Sequence, residues 1–232
     1  MGSKNRLAKR LLPIILKDRK PNQIYIEPFC GGCNMIDKVQ GPRWPNDSNF
    51  YLVELFKALQ NGWNPPRDIS PELYRQVREG KDRFPPELVA FVGFPCSFGS
   101  KWFGGFAKNS VGRNYADEGA ANLEKQRDNL MDVRFTNQSY LELSIPDGSL
   151  IYCDPPYANT TSYKNVFDNN IFWEWVRDKS TTNQVFVSEY SAPDDFECLI
   201  EIAYSTTMNK NSKDKRIEKM FRHKETASCL MG

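Results

Sequence analysis

The sequence predicts an α/β domain: a mostly parallel, Rossmann-like sheet closed by a C-terminal β-hairpin. Three observations predict it. Residues 23–29 form a strand-sized apolar run that passes through Cys30-Gly31-Gly32 into an apolar stretch around Met35 and Ile36. Strand, glycine turn and helix, in that order, open nucleotide-type α/β domains. Residues 149–153 form a second buried-strand run, cut off by Asp154-Pro155-Pro156-Tyr157. Those prolines forbid both continuation of the strand and an immediate helix. Last, residues 196–205 and 217–223 read as two strands joined by a basic stretch, Lys210 to Arg216.

The elements follow in order. Residues 3–18 pattern as a helix with Leu7, Leu11, Leu12 and Ile15 on one stripe, and Pro13 implies a kink or an early end. Ser3 is the expected N-cap, so Gly2-Ser3-Lys4 becomes a loop entering a helix N-terminus, a place that favours anions. After the first strand comes a second, residues 41–47, ending in Asn46-Asp47. An acid there, soon after a glycine turn, suits ribose hydroxyls. It equally suits a cap for the helix carrying Leu52, Leu55, Phe56 and Leu59, with Asn46 or Ser48 capping if Asp47 binds sugar.

Residues 61–120 change character. Pro65-Pro66, Pro85-Pro86 and several glycines interrupt short amphipathic pieces near 71–79 and 86–92. Then Lys101, Trp102, Phe103, Phe106, Lys108, Arg113 and Tyr115 interleave cations with rings without helical period. That mixture suits phosphate contact and base stacking, or a loop pinned by buried aromatics. A helix over 118–131 and a third strand over 133–135 follow, the latter ending at Asn137-Gln138-Ser139-Tyr140. The fourth strand leads to Asp154. A polar loop to Asn170 is placed to close over the site, and a helix over 171–178 turns Phe172, Trp173 and Trp175 to the sheet. The fifth strand is 184–190. The predicted division is 1–60 with 121–232 as one domain, and 61–120 as an insertion.

Composition sets limits. The 232 residues are 40% hydrophobic and 26% charged, with a net charge of +2. That reads as a globular chain without strong non-specific polyanion binding, although the N-terminal twenty residues are locally basic. No run is long and apolar enough to span a membrane, and no signal-peptide pattern opens the chain, so a cytoplasmic protein with six reduced cysteines is expected. Cys30 and Cys33 have redox spacing, but no second pair lies nearby to make a zinc site, and no metal is expected. The single histidine, His223, reads as structural or exposed.

Asp154-Pro155-Pro156-Tyr157 carries the chemistry. It stands at the C-terminal edge of a strand, where open α/β sheets bind ligands. The carboxylate and a proline carbonyl can each accept one hydrogen of an amine, and the Tyr157 ring can stack on a planar base. The alternative is a Pro-Pro turn with a solvent-facing Asp.

Glu-Pro-Phe-Cys-Gly-Gly at 27–32, Asn46-Asp47 and Asp154 to Tyr157, in that order, make the chain resemble the Dam-like, alpha-group (D12 class) DNA adenine-N6 methyltransferases, and most closely their phage-type members. The resemblance implies a class I S-adenosylmethionine-dependent methyltransferase sheet with a small target-recognition insertion. It implies S-adenosylmethionine as donor, held by Lys4, Glu27, Pro28, Phe29, Cys30, Gly31, Asp47, Ser139 and Asp154. It implies catalysis by Asp154, Pro155, Pro156 and Tyr157, and double-stranded DNA as partner, met by Lys101, Trp102 and Arg113. The expected protein is a monomer or weak dimer in the cytoplasm of a bacterial or phage-infected cell. Two departures stand out. The family's aromatic four positions before the N-terminal lysine has no counterpart here. Gln138 stands where an acid is common, leaving the donor's adenine amine to backbone or Ser139. The same chemistry on cytosine-N4 or on RNA adenine, a catalytically silent DNA-binding relic, and a thiol oxidoreductase on Cys30 and Cys33 are the competing functions.

Overall fold

The computed structural model describes residues 4–108, 113–156, 167–205 and 215–225. Six strands form one sheet: β1 (Tyr25–Glu27), β2 (Arg43–Pro45), β3 (Leu150–Cys153), β4 (Gln184–Glu189), β5 (Phe196–Ser205) and β6 (Lys215–His223). Their order is β2-β1-β3-β4-β6-β5. The pairs β1–β2, β1–β3 and β3–β4 are parallel, and β6 runs antiparallel to both β4 and β5. Chain order along the sheet reverses at β1, so a crevice opens above the C-terminal ends of β1 and β3.

Both faces of the parallel strands are covered, which explains their continuous apolar runs. Side chains alternate along a strand. Tyr25, Leu150, Tyr152 and Phe186 therefore join one buried cluster, while Ile26, Ile151, Cys153, Val185 and Val187 join another. The first layer holds α1 (Asn5–Ile15), α2 (Phe50–Gln60), α3 (Pro71–Glu79), α4 (Pro86–Gly93) and α5 (Tyr115–Arg127). The second holds α6 (Asn169–Ser180), which buries Phe172, Trp173, Trp175 and Val176.

Several expectations are corrected. Residues 133–135 form no strand. Only one parallel bridge, Asn46 to Thr136, extends the sheet beyond β2. The stretch is apolar at Val133 and Phe135, but both side chains pack down beside α2, where Phe135 stacks on Phe56 at 5.3 Å. The helix expected after the glycine turn is a single 3-10 turn, Ile36–Lys38. Asn49, not Asn46 or Ser48, caps α2 by accepting from the Leu52 N–H. In α1 the N-cap position is Lys4 and the helix stops at Ile15, two residues past Pro13. Pro13 takes one N–H from the ladder, the one that would meet Lys9, and the Leu16 N–H still reaches the Leu12 carbonyl beyond it. Ser3 and Gly2 lie outside the described residues.

Among its described residues, the stretch 61–120 shares its core with the rest of the chain. Tyr74, Val77 and residues 89–92 belong to the same buried cluster as α1 and α2. Its expected boundary at 120 falls inside α5.

Candidate active site at the C-terminal edge of the sheet

Asp154 is the first residue beyond β3, with its side chain 21% exposed. Pro155 behind it is buried and Pro156 half-buried. Tyr157 lies outside the described residues, as does most of the loop expected to close the site. Lys4 reaches across from the start of α1. Its Nζ stands 3.2 Å from Asp154 Oδ1 and hydrogen-bonds Glu218 on β6. Burial opposes the Lys4 charge, but the Asp154 and Glu218 carboxylates more than offset it and hold the ammonium above its ordinary range.

Glu27 closes β1 beside this group. It is buried, and its Oε1 accepts from the Tyr25 hydroxyl at 2.8 Å. Burial pushes its carboxyl well above the usual carboxylate range. The Tyr25 bond opposes that shift, and the nearby negative charge of Asp154 adds to it. Burial thus favours the neutral form of Glu27, while the two carboxylates favour the charged form of Lys4.

The glycine turn follows Glu27. Gly31 takes φ 48° and Cys33 φ 54°, left-handed conformations that suit glycine and strain cysteine. Three contacts hold the turn. The Cys30 N–H donates to the Asn46 carbonyl at 2.8 Å. The Gly31 N–H donates to Asp47 Oδ2 at 2.9 Å. The Gln126 side chain, from α5, donates to the Gly32 and Cys33 carbonyls. Asp47 Oδ1 accepts from the Asn49 N–H at 2.8 Å. Burial raises the Asp47 carboxyl while these two N–H donors pull it back. Each Asp47 oxygen carries a second lone pair, so the carboxylate can hold the turn and still meet a hydroxyl.

Asn46, offered by the sequence as a helix cap, is instead a hub. It is fully buried. Its side-chain amide donates to the carbonyls of Pro28 and Gln138, both at 3.0 Å. Its Oδ1 accepts from the Thr136 hydroxyl and the Gln138 N–H. Three chain segments that line the crevice are tied there. Ser139, next in line, spends its hydroxyl and its N–H on a capping box with Glu142. The half-buried Phe29 ring packs against Tyr140 at 5.1 Å and Phe167 at 6.0 Å.

The thiols are buried. Cys33, through a hydrogen bond, and burial push Cys30 well up, and burial likewise raises Cys33. Neither is a thiolate at neutral pH, the form a nucleophilic cysteine needs. Among the described residues, no group of three or more His, Cys, Asp and Glu side chains is arranged to hold a metal ion.

The residues expected to meet DNA lie between α4 and α5. Lys101 is exposed. Trp102 is wedged between Phe94 at 4.8 Å, Phe103 at 4.7 Å and Tyr51 at 5.4 Å, over Gly93, where any Cβ would overlap its ring. Arg113 forks onto Glu118 and covers the Tyr115 ring at 4.4 Å.

A family model described as D12 class N6 adenine-specific DNA methyltransferase matches residues 1–83 and 102–219. The chain belongs to this family. S-adenosylmethionine is the methyl donor of these enzymes. This edge suits such a group: a left-handed Gly31 bonded to the Asp47 carboxylate, with the half-buried Phe29 ring just before the turn. The family match leaves out residues 84–101, which hold α4, and residues 220–232. Among solved structures, the chain is similar to a Listeria monocytogenes protein assigned to the class I S-adenosylmethionine-dependent methyltransferases, at 10% identity and a TM-score of 0.42. It is also similar to SMU.472, assigned as a methyltransferase and complexed with SAH, at 12% identity and a TM-score of 0.37. Each match covers 96% of this chain, which spans 60% and 52% of their lengths. No helix among the described residues is long and apolar enough to cross a membrane.

Proposed function

We propose that this chain transfers a methyl group from S-adenosylmethionine to the exocyclic N6 amine of an adenine flipped out of double-stranded DNA. The observation that carries the reading is Asp154. A partly exposed carboxylate, followed by a rigid Pro155-Pro156 bend, stands at the C-terminal edge of a parallel strand beside the glycine turn. The bound donor supplies a sulfonium methyl that is already activated, so no nucleophilic side chain is needed. The protein's task is the amine. Its lone pair is delocalised into the ring, and Asp154 with the Pro155 carbonyl accepts its two hydrogens and localises that pair. The positive charge developing on the nitrogen then meets acceptors already in place. Asp154 need not act as a base before attack; it accepts hydrogen bonds, and the surplus proton of the methylated amine leaves afterwards through that carboxylate to solvent. Tyr157 stacks on the flipped base, whose amine is out of reach inside the duplex. Lys4, Glu27, Pro28, Phe29, Cys30, Gly31, Asp47 and Ser139 line the donor side. The chain acts in the cytoplasm as a monomer or weak dimer.

The test is to express the chain in cells free of adenine methylation and to sequence the modified DNA. N6-methyladenine at one fixed sequence is the expected product. N4-methylcytosine, methylated RNA alone, or no product refutes the assignment.

Asp47 supplies a sharper test. Asp47→Ala should weaken donor binding by roughly 1–3 kcal/mol, the scale of a hydrogen bond to a charged group. Donor affinity is read by calorimetry. If affinity holds and only the melting temperature falls, Asp47 serves the turn and the start of α2, not the donor.

Residues 61–120 are proposed as the target-recognition insertion. Lys101 is free to reach a phosphate, and Arg113 can exchange its Glu118 partner for a base edge, since exposed ion pairs are worth about 0–1 kcal/mol. Lys101→Ala is expected to weaken all duplexes alike and lower the salt slope by about one unit. Arg113→Ala is expected to relax one position of the site by about 1–3 kcal/mol. Affinity measured against salt, on cognate and scrambled duplexes, separates these effects. No change in either variant moves recognition elsewhere, to the basic segment ending at Arg216.

A further inference from the structure

The structure assigns a positioning role to Glu218: it holds the Lys4 ammonium so that the Asp154 carboxylate stays available to the target amine. This inference rests on the function proposed above. Glu218 lies on β6, one residue from the Glu189–Lys219 pair that ends the ladder between β4 and β6. Asp154 lies one residue past the Cys153–Val187 pair on the opposite side of β4. Lys4 spans the two over the end of that strand. Its closer contact is to Glu218, and Asp154 is its longer one. Lys4 and Glu218 are both almost fully buried, at 8% and 2% side-chain exposure, whereas Asp154 is 21% exposed. The buried end of the bridge thus takes the ammonium, and the exposed end faces the crevice.

The charge count supports this division. One ammonium meets two carboxylates, so Asp154 shares its counter-cation with Glu218 and keeps more of its own negative charge than it would in a simple pair. That sign suits an amine that gains positive charge as it reacts. Without Glu218, the ammonium and Asp154 would neutralise each other. Lys4 would then compete with the target amine for the same oxygens. Glu218 touches neither substrate nor donor in this scheme, and it acts through Lys4.

The test uses the full chain with Glu218→Gln, Glu218→Asp and Lys4→Met, and with Lys4→Met and Glu218→Gln combined. Methylation of duplex DNA, donor affinity by calorimetry and thermal unfolding are measured on each. Glu218→Gln is expected to lower kcat by about tenfold to a hundredfold, the scale for losing a partner that orients an active-site group. Donor affinity and KM for DNA should stay within about threefold, because the loss is confined to the reacting state. Glu218→Asp should recover part of kcat. In the Lys4→Met background, Glu218→Gln should cost little more, since residues acting as one unit are not additive. Wild-type kcat in Glu218→Gln, or a full further loss in the Lys4→Met background, overturns the assignment. So does a uniform fall in affinity and melting temperature with kcat kept. If Glu218→Gln does not fold, Lys4→Met with Glu218→Met takes its place, since removing both charges leaves neither orphaned. Its kcat should match Lys4→Met alone, and a kcat at the wild-type level overturns the assignment. A wild-type chain that methylates no DNA refutes the proposed function instead. Pairing is then judged from unfolding alone, where independent effects of the two substitutions overturn it.

Discussion

Asp154→Ala should abolish methylation, with a loss in turnover of at least about 10²–10³, the cost of removing one preorganised electrostatic partner of a transition state. Donor binding should weaken at most slightly. The structure explains why the variant should still fold. Lys4 keeps Glu218 as its partner, so no buried ammonium is orphaned. Glu27 loses one neighbouring negative charge that raises its carboxyl, while burial, the largest cause, and Asp37 continue to raise it. Asp154→Asn is the more telling companion. It preserves shape but turns an amide N–H₂ or a weaker acceptor toward the amine, so it should be nearly as inactive. Turnover on methyl-free DNA and donor affinity by calorimetry are the two measurements. Appreciable turnover in the alanine variant removes Asp154 from the mechanism.

The largest loss of stability is expected at Asn46. Asn46→Ala strips the donors from two carbonyls, those of Pro28 and Gln138, and the acceptor from Thr136. A stranded buried group costs roughly 1–3 kcal/mol, and here the Pro28 carbonyl is buried while the Gln138 and Thr136 groups are part-buried and cost less, so about 2–4 kcal/mol in total is expected. Donor affinity should fall as well, because the turn after β1 and the segment at 136–139 would no longer be tied to the end of β2. Asn46→Asp should do no better: it keeps the acceptor but aims a carboxylate at two carbonyl oxygens. Urea unfolding measures the effect. An unchanged midpoint in the alanine variant would show that solvent or neighbouring groups replace the side chain.

Local chemistry made much of this fold legible. Pro71 after Ser70 and Pro86 after Pro85 mark the starts of α3 and α4, and both helices lie where periodicity put them. The apolar runs of β3 and β4 and the C-terminal hairpin are equally local signals. What escaped depends on partners distant in sequence. Residues 133–135 look like a strand, yet the α2 surface takes their side chains and only Thr136 reaches the sheet. Trp102 among basic residues looks like a stacking platform until Gly93 is seen beneath it. Asn46, beside the more conspicuous Asp47, shows its worth only through bonds to residues about ninety positions away. Glu218 sits in an ordinary alternating strand and carries no motif at all.

The Lys4–Glu218 bridge joins positions 214 apart. Lys4 leaves the ribosome long before Glu218. Domains fold largely as units, and contacts between distant positions form only after the intervening chain has been closed. A nascent chain can therefore assemble β1, the glycine turn and β3 while the lysine beside Asp154 still lacks its second carboxylate. Chains cut short before β6 would carry every recognisable motif of the site and none of its finished electrostatics. Synthesis itself thus delays competence until the hairpin has docked against β4, and fragments released early should be inert toward DNA even when they bind the methyl donor.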